Sequence, residues 1–180
     1  MAPRTLNATA GSLLGFLHEG PMSGWDLVVQ AQQRIGSFWT LTQSQVYREL
    51  SAMARDGLVE RGEPGPRERT PYRITDAGRT AFREWVNRDP GLEQIRFPLL
   101  LTIMFAGHLP TERLAEIIEA HRGRHSSRLE EYRRTRDQIE RDGGPTEVDS
   151  YRLATLDFGL RYESAVLDWF DELPKILGSA

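Results

Sequence analysis

TQSQVYRELSAMARDGLVERGEPGPRERTPYRITDAG, residues 42–78, is the stretch on which the fold of this chain turns. Thr42 starts a helix in which Val46, Leu50, Met53 and Ala54 form one apolar stripe, while Gln43, Gln45, Tyr47, Arg48, Glu49 and Arg55 fall mostly off it. A helix patterned in this way buries one face and offers hydrogen-bonding groups on the other. Gly57 ends it, and Leu58-Val59-Glu60-Arg61 alternates as a strand. The run from Gly62 to Pro71 is rich in glycine, proline and charge, after which Tyr72-Arg73-Ile74-Thr75 alternates again. Two short strands round such a turn predict a β-hairpin with Arg67 and Arg69 at its tip. Pro71 has no amide donor, so the second strand is expected to be short or to lie at an edge.

Upstream, Leu13, Leu14, Phe16 and Leu17 recur at helical spacing between Thr9 and His18, with Thr9 or Ser12 as the cap and Gly20-Pro21 as the stop. Ser23 caps a second helix through Leu27, Val28 and Ala31 to Ile35, ended by Gly36. Downstream, Thr75 or Asp76 caps a helix that carries Phe82 and Trp85 to about Asn87. Asp89-Pro90-Gly91 is the clearest linker, and it divides the chain into domains at 1–88 and 89–180.

The second part reads as almost continuous helix. Leu92 to Ala106 is strongly apolar, and Leu109-Pro110-Thr111 punctuates it. A long helix from Thr111 to about Arg141 has apolar residues too sparse to bury it on all sides, and it is expected to project. Gly143-Gly144-Pro145 breaks the pattern, and a last helix runs from Val148 to Leu177. Its apolar face, with Leu153, Leu156, Leu160, Val166, Leu167, Trp169, Phe170 and Leu173, is wider than one partner helix needs, which points to a second subunit. The expected fold is therefore mainly α with a small β-hairpin: an N-terminal winged helix-turn-helix followed by a C-terminal helical dimerisation region.

Composition narrows the function classes. The 180 residues include no cysteine, which excludes a disulfide framework and a thiolate metal site. No apolar run is long enough to span a membrane, and Met1 to Ala10 does not read as a signal peptide, so a soluble, cytoplasmic chain is expected. The net charge of −3 is unevenly spread. Through Arg88 there are eleven arginines against nine acidic residues, whereas the remainder has twelve basic and seventeen acidic ones. Lys175 is the only lysine, and arginine's planar fork suits phosphates and guanine edges.

Three helices, a two-stranded hairpin and a fourth helix are the order of a winged helix-turn-helix, whose third helix enters the major groove. Gln and Arg side chains can pair bidentately with adenine or guanine edges, and Ser44 and Tyr47 can hold phosphates. The candidate DNA-contacting set is Thr42, Gln43, Ser44, Gln45, Tyr47 and Arg48, with Arg67 and Arg69 from the wing. His121 and His125 have the spacing of two metal ligands on one helix face, but no third ligand is obvious and a solvated face accounts for them. His18 and His108 end helices, where partial negative charge favours a histidine. No nucleophile elbow, phosphate-cradling glycine loop or His-Glu-x-x-His pattern is present, so neither catalysis nor a cofactor or metal is expected.

The chain also resembles a known family. Leu13-Leu14-Gly15-Phe16-Leu17, the run Gly20-Pro21-Met22-Ser23-Gly24-Trp25-Asp26-Leu27, then Phe38-Trp39 and Gln45-Val46-Tyr47-Arg48-Glu49-Leu50 are similar to the PadR family. So are Gly57-Leu58-Val59 and the wing exit Tyr72-Arg73-Ile74-Thr75-Asp76-Ala77-Gly78. The resemblance runs from Leu13 to Trp85, and the helical tail resembles the virulence-activator type of C-terminal region found in longer members. It implies a dimeric regulator, often a repressor, that binds a pseudo-palindromic operator, with Gln45, Tyr47 and Arg48 as the contacting set and Arg67 and Arg69 in support. Ser44 stands where the family often has glycine. Family members sense aromatic or other hydrophobic compounds near the dimer interface, which makes Trp39, Phe97, Tyr162 and Trp169 candidates for an effector pocket. The partners implied are double-stranded DNA, a second copy of the chain and a small-molecule effector, with no membrane. The alternative is a protein-interaction module in which the winged helix has lost DNA binding; a steep fall of DNA affinity with salt separates the two.

Overall fold

The computed structural model describes residues 5–36, 38–63, 69–92, 95–141 and 147–178, and it divides into two compact units, Met1–Glu93 and Gln94–Ala180. The first contains helix α1 (Ala8–Leu17), strand β1 (Met22–Ser23), helices α2 (Gly24–Arg34) and α3 (Gln43–Arg55), strands β2 (Val59–Arg61) and β3 (Pro71–Ile74), and helix α4 (Asp76–Val86). It is a winged helix, with α1, α2 and α3 packed on one another and the sheet at their side.

Local chemistry sets each boundary. Asn7, rather than Thr9 or Ser12, caps α1: its Oδ1 accepts from the Ala10 amide at 2.8 Å, so the helix begins ahead of the expected Thr9. Asn is among the strongest N-caps, and Ser12 instead donates back to the Thr9 carbonyl inside the helix. Ser23 caps α2 and Thr42 caps α3, each in a reciprocal capping box with the residue three further on. At the far end of α3, Gly57 takes φ +72°, and the Leu58 amide reaches back to the Met53 carbonyl at 2.9 Å. This left-handed turn costs glycine little and directs the chain straight into β2.

The sheet has three strands, in the order β1-β3-β2, where the sequence pattern shows only the hairpin. Met22 lies opposite Tyr72 and Ser23 opposite Pro71, while Val59, Glu60 and Arg61 face Ile74, Arg73 and Tyr72. β3 is thus central rather than at an edge, and at four residues it is short, the other outcome expected from Pro71. Proline is tolerated because it is the first residue of the strand, where its missing donor breaks no inner ladder bond. Its carbonyl still accepts from the Gly62 amide at 2.8 Å.

Leu13, Leu14 and Leu17 of α1, Leu27 of α2, Val46, Leu50 and Met53 of α3, and Val59, Tyr72 and Ile74 of the sheet form a single core. α4 closes it: the Phe82 and Trp85 rings lie over Gly15 and Gly11 of α1, where Cβ atoms would stand 3.3 Å and 2.4 Å from them. His18, one turn on, meets Phe82 with ring centroids 4.6 Å apart.

The second unit contains α5 (Pro98–Met104), a short 3-10 turn (Ala106–His108), α6 (Thr111–Arg141) and α7 (Glu147–Leu177). The expected break at Gly143-Gly144-Pro145 lies outside the described residues. α6 packs along α7, which replaces the expectation that it projects. Arg122 pairs with Asp171, Arg128 with Glu163, and Tyr132 covers Gly159, so the two helices run antiparallel. Leu129, Phe170 and Leu173 are buried. No described residue of α5 is buried, and Leu101, Met104 and Phe105 are 66%, 77% and 61% exposed.

The start of α4 shows how little slack the first unit has. A Cβ at Gly78 would lie 2.1 Å from the Leu58 carbonyl oxygen, which already accepts from the Thr75 amide at 3.1 Å. Gly78→Ala is expected to lower the unfolding free energy by about 1–3 kcal/mol in urea titrations, since the clash is with backbone. A change below about 0.5 kcal/mol would show that this corner yields freely.

Candidate nucleic-acid interface

The two faces of α3 separate cleanly. Val46, Glu49, Leu50 and Met53 are buried on one side. Gln43, Ser44, Tyr47, Arg48, Ser51 and Arg55 are exposed, and Gln45 is half-buried at the first turn. Apolar burial at one set of i, i+3, i+4 positions therefore presents the polar set outward without strain. Arg48 makes no hydrogen bond or ion pair among the described residues, so its guanidinium is available to a partner.

Thr42 and Gln45 are occupied with each other. The Gln45 amide donates to Thr42 Oγ1 at 3.2 Å, while Gln45 Oε1 accepts from the Thr42 amide at 2.8 Å and from its hydroxyl at 3.0 Å. Thr42 Oγ1 also lies 3.1 Å from Ser44 Oγ. Tyr47 crosses to the start of α2, where a Cβ on Gly24 would stand 2.6 Å from its ring. Gly24 thus gives Tyr47 its place, a role the sequence pattern does not reveal.

The wing reaches the same spot. Arg69 Nη1 lies 3.7 Å from Asp26 Oδ1, and Asp26 Oδ2 accepts from the Ser23 amide at 3.1 Å and from its hydroxyl at 2.6 Å. The Ser23 hydroxyl holds the Asp26 carboxyl below its ordinary value; partial burial opposes this, while the Ser23 amide and Arg69 assist. Arg61 lies over the Tyr72 ring at 5.7 Å. Arg67 lies outside the described residues. Gln43, Ser44, Tyr47 and Arg48 are exposed on α3, with the exposed N-cap Thr42 and the half-buried Gln45 at its start, and Arg69 pairs with Asp26 of the α2 capping box beside which Tyr47 rests.

The effector candidates fall in both units. Trp39, in the α2–α3 connection, is 45% exposed, with its amide on the Ile35 carbonyl at 2.7 Å. In the second unit Phe97 and Tyr162 stack with centroids 6.4 Å apart, Phe158 stacks on Tyr162 at 6.4 Å, and Trp169 tilts against Phe170 at 5.0 Å. Burial, with Glu163 beside it, pushes the Tyr162 phenol above its ordinary range.

Sequence reasoning missed Glu163. It is 1% exposed, bonded to His125 and, at 3.2 Å, to Arg128. The His121/His125 face is therefore half-buried against α7 rather than solvated. Partial burial, together with Arg124 and His125, lowers the His121 pKa. Among the described residues no three metal-ligating side chains gather.

The family description "Transcriptional regulator PadR-like family" matches residues 13–84, and "Virulence activator alpha C-term" matches residues 95–178. The negative transcriptional regulator PadR of Bacillus subtilis is 21% identical over 90% of this chain and 93% of its own length. A probable transcriptional regulator of Mycobacterium tuberculosis is 26% identical over 92% of this chain and 95% of its own. The crystal structure of Bacillus subtilis PadR with operator DNA superposes with a TM-score of 0.80 at 19% identity, covering 96% of this chain and 100% of that one. The same protein in complex with p-coumaric acid gives 0.73 at 19% identity, covering 97% and 99%.

Two substitutions test the local electrostatics. Asp26→Ala is expected to cost about 1 kcal/mol of stability at neutral pH through loss of the carboxylate half of the α2 capping box. A carboxyl whose folded pKa lies below 3.8 contributes fully above that value and loses its contribution as the pH falls through the folded value. The gap between wild type and variant in thermal melts should therefore narrow as the pH falls below 3.8. Glu163→Gln leaves His125 and Arg128 without their carboxylate, and is expected to cost about 2–3 kcal/mol in urea denaturation. Unchanged stability would mean that the buried carboxylate does not hold α6 to α7.

Proposed function

We propose that this chain, a PadR-like domain joined to a virulence-activator-type C-terminal domain, is a homodimeric transcriptional repressor that binds a pseudo-palindromic operator and is released by a small aromatic or hydrophobic effector. Residues 1–88 bind DNA, and residues 89–180 dimerise. The observation that carries this reading is the exposed face of α3, where Tyr47 and Arg48 stand opposite a fully buried apolar stripe.

In this reading the first turns of α3 enter the major groove. Gln45 and Arg48 contact base edges, Thr42, Gln43, Ser44 and Tyr47 fix the register on phosphates, and Arg67 and Arg69 follow the backbone from the wing. A two-fold axis through the C-terminal helices sets the two copies of α3 about 34–36 Å apart, so that they meet successive major grooves. Support for dimerisation comes from the exposed apolar residues of α5 and of α7, where Tyr151 and Phe158 are 70% and 68% exposed. Support for an aromatic effector comes from the stacked Phe97, Tyr162 and Phe158 rings, with Trp39 and Trp169 as further candidates, and from the relative solved with p-coumaric acid.

Selection of bound sequences from a random duplex library at moderate salt tests the reading. Wild type is expected to enrich a pseudo-palindrome. Arg48→Ala should lose about 1–3 kcal/mol of affinity and relax one position in each half-site. Arg69→Ala should weaken all sequences alike and lower the salt slope by about 1. An Arg48→Ala protein with unchanged affinity and base preference would remove α3 from the readout.

A further inference from the structure

The capping box that begins α3 restricts what Gln45 can offer a base. Gln45 Oε1 accepts from the Thr42 amide at 2.8 Å and from the Thr42 hydroxyl at 3.0 Å. A backbone N–H can only donate, so this contact fixes which end of the side-chain amide is oxygen. Two donors therefore converge on that oxygen. The Nε2 amino group makes no hydrogen bond among the described residues and remains to meet a partner with two N–H donors.

We infer that Gln45 is a specificity-determining residue that selects a G·C pair, reading the guanine O6 and N7 acceptors with its amino group while its carbonyl stays in the cap; this rests on the operator-binding reading above. Glutamine usually reads adenine bidentately, with its oxygen accepting from N6 and its nitrogen donating to N7. Here the oxygen is held, so the adenine N6 amino group would face a second donor. Cytosine presents only its N4 donor to the groove, and thymine offers a single O4 acceptor beside a methyl group. Guanine alone places two acceptors side by side with no donor or methyl group between them, so a side chain reduced to donors meets no repulsion there. Reading adenine would require Gln45 to leave the Thr42 amide, one of the donors at the helix start that no helix carbonyl can reach.

A near-isosteric substitution supplies the discriminating variant. Gln45→Glu keeps an oxygen for both Thr42 donors, as glutamate commonly does at this position of a capping box, but presents an acceptor in place of the amino group. Gln45→Ala loses both functions. Full-length wild type and both variants would be put through selection from a random duplex library, with thermal melts alongside. The expected result is one half-site position at which wild type prefers G·C over A·T by about tenfold, within the range for a specific base contact. Both variants lose that preference, although Gln45→Glu melts with the wild type. An A·T preference at the position the variants relax would overturn the inference, and so would a Gln45→Glu protein that keeps the G·C preference. Absence of any enriched motif from folded wild type would overturn it together with the operator-binding reading, an outcome distinct from the other two.

Discussion

Burial of Val46, Leu50 and Met53 beneath α1 and the sheet is the contact on which the first unit depends. Each is completely inaccessible, and together with Leu13, Leu14, Leu17 and Leu27 they leave α3 a single rotational setting. The hydrophobic term has no direction of its own, but a helical stripe gives it one: burying those three side chains turns Arg48 and Tyr47 away from the core. Asn7 extends the arrangement beyond apolar contact. Its side chain caps α1 with Oδ1 and reaches the buried Glu49 of α3 with Nδ2 at 3.1 Å, so the beginning of one helix is tied to the middle of another.

Much of this was legible in the residues. The α3 stripe, the Thr42 and Ser23 caps and the long helix Thr111–Arg141 all follow from spacing and from polar residues placed where helices begin. Strand β1 was not legible, because two residues cannot display an alternation, and Met22-Ser23 sits between a turn and a helix cap. Its pairing partner lies some fifty residues on, and only the closed fold brings them together. Glu163 was hidden for a related reason. An acid in a charge-dense helix reads as a solvent contact, and nothing local signals that His125 and Arg128 of another helix surround it. At the candidate interface, the exposed residues of α3 could be named from the sequence, whereas the packing of Tyr47 on Gly24 and the pairing of Arg69 with Asp26 could not.

The two units solve the problem of polar groups differently. In the first, the buried Ser23 bonds locally to Asp26 and the buried Glu49 accepts from the Asn7 side chain, single contacts that suit a compact fold of short elements. In the second, two long helices with little apolar area on α6 are joined by a buried carboxylate and flanking ion pairs. A buried charge with satisfied partners adds less to stability than apolar packing of similar volume, but it penalises every register in which its partners are missing. α6 and α7 are each 31 residues long, and such a pair has many near-equivalent sliding positions. Glu163 singles out one.

The central place of β3 has a consequence for the thermodynamics of association. Because β3 pairs with β1 on one side and β2 on the other, the strand that emerges from the wing is fastened to the residues that begin α2, and Arg69 is held there by Asp26. An arginine on a free loop surrenders rotamer and backbone freedom when it meets a polyanion, at a cost of about 0.5–1.5 kcal/mol for the side chain alone. Here the Asp26 contact, at 3.7 Å between half-exposed side chains, already restricts part of that freedom in the free chain. In the proposed complex, an anion that replaced the Asp26 carboxylate would meet a side chain already partly ordered.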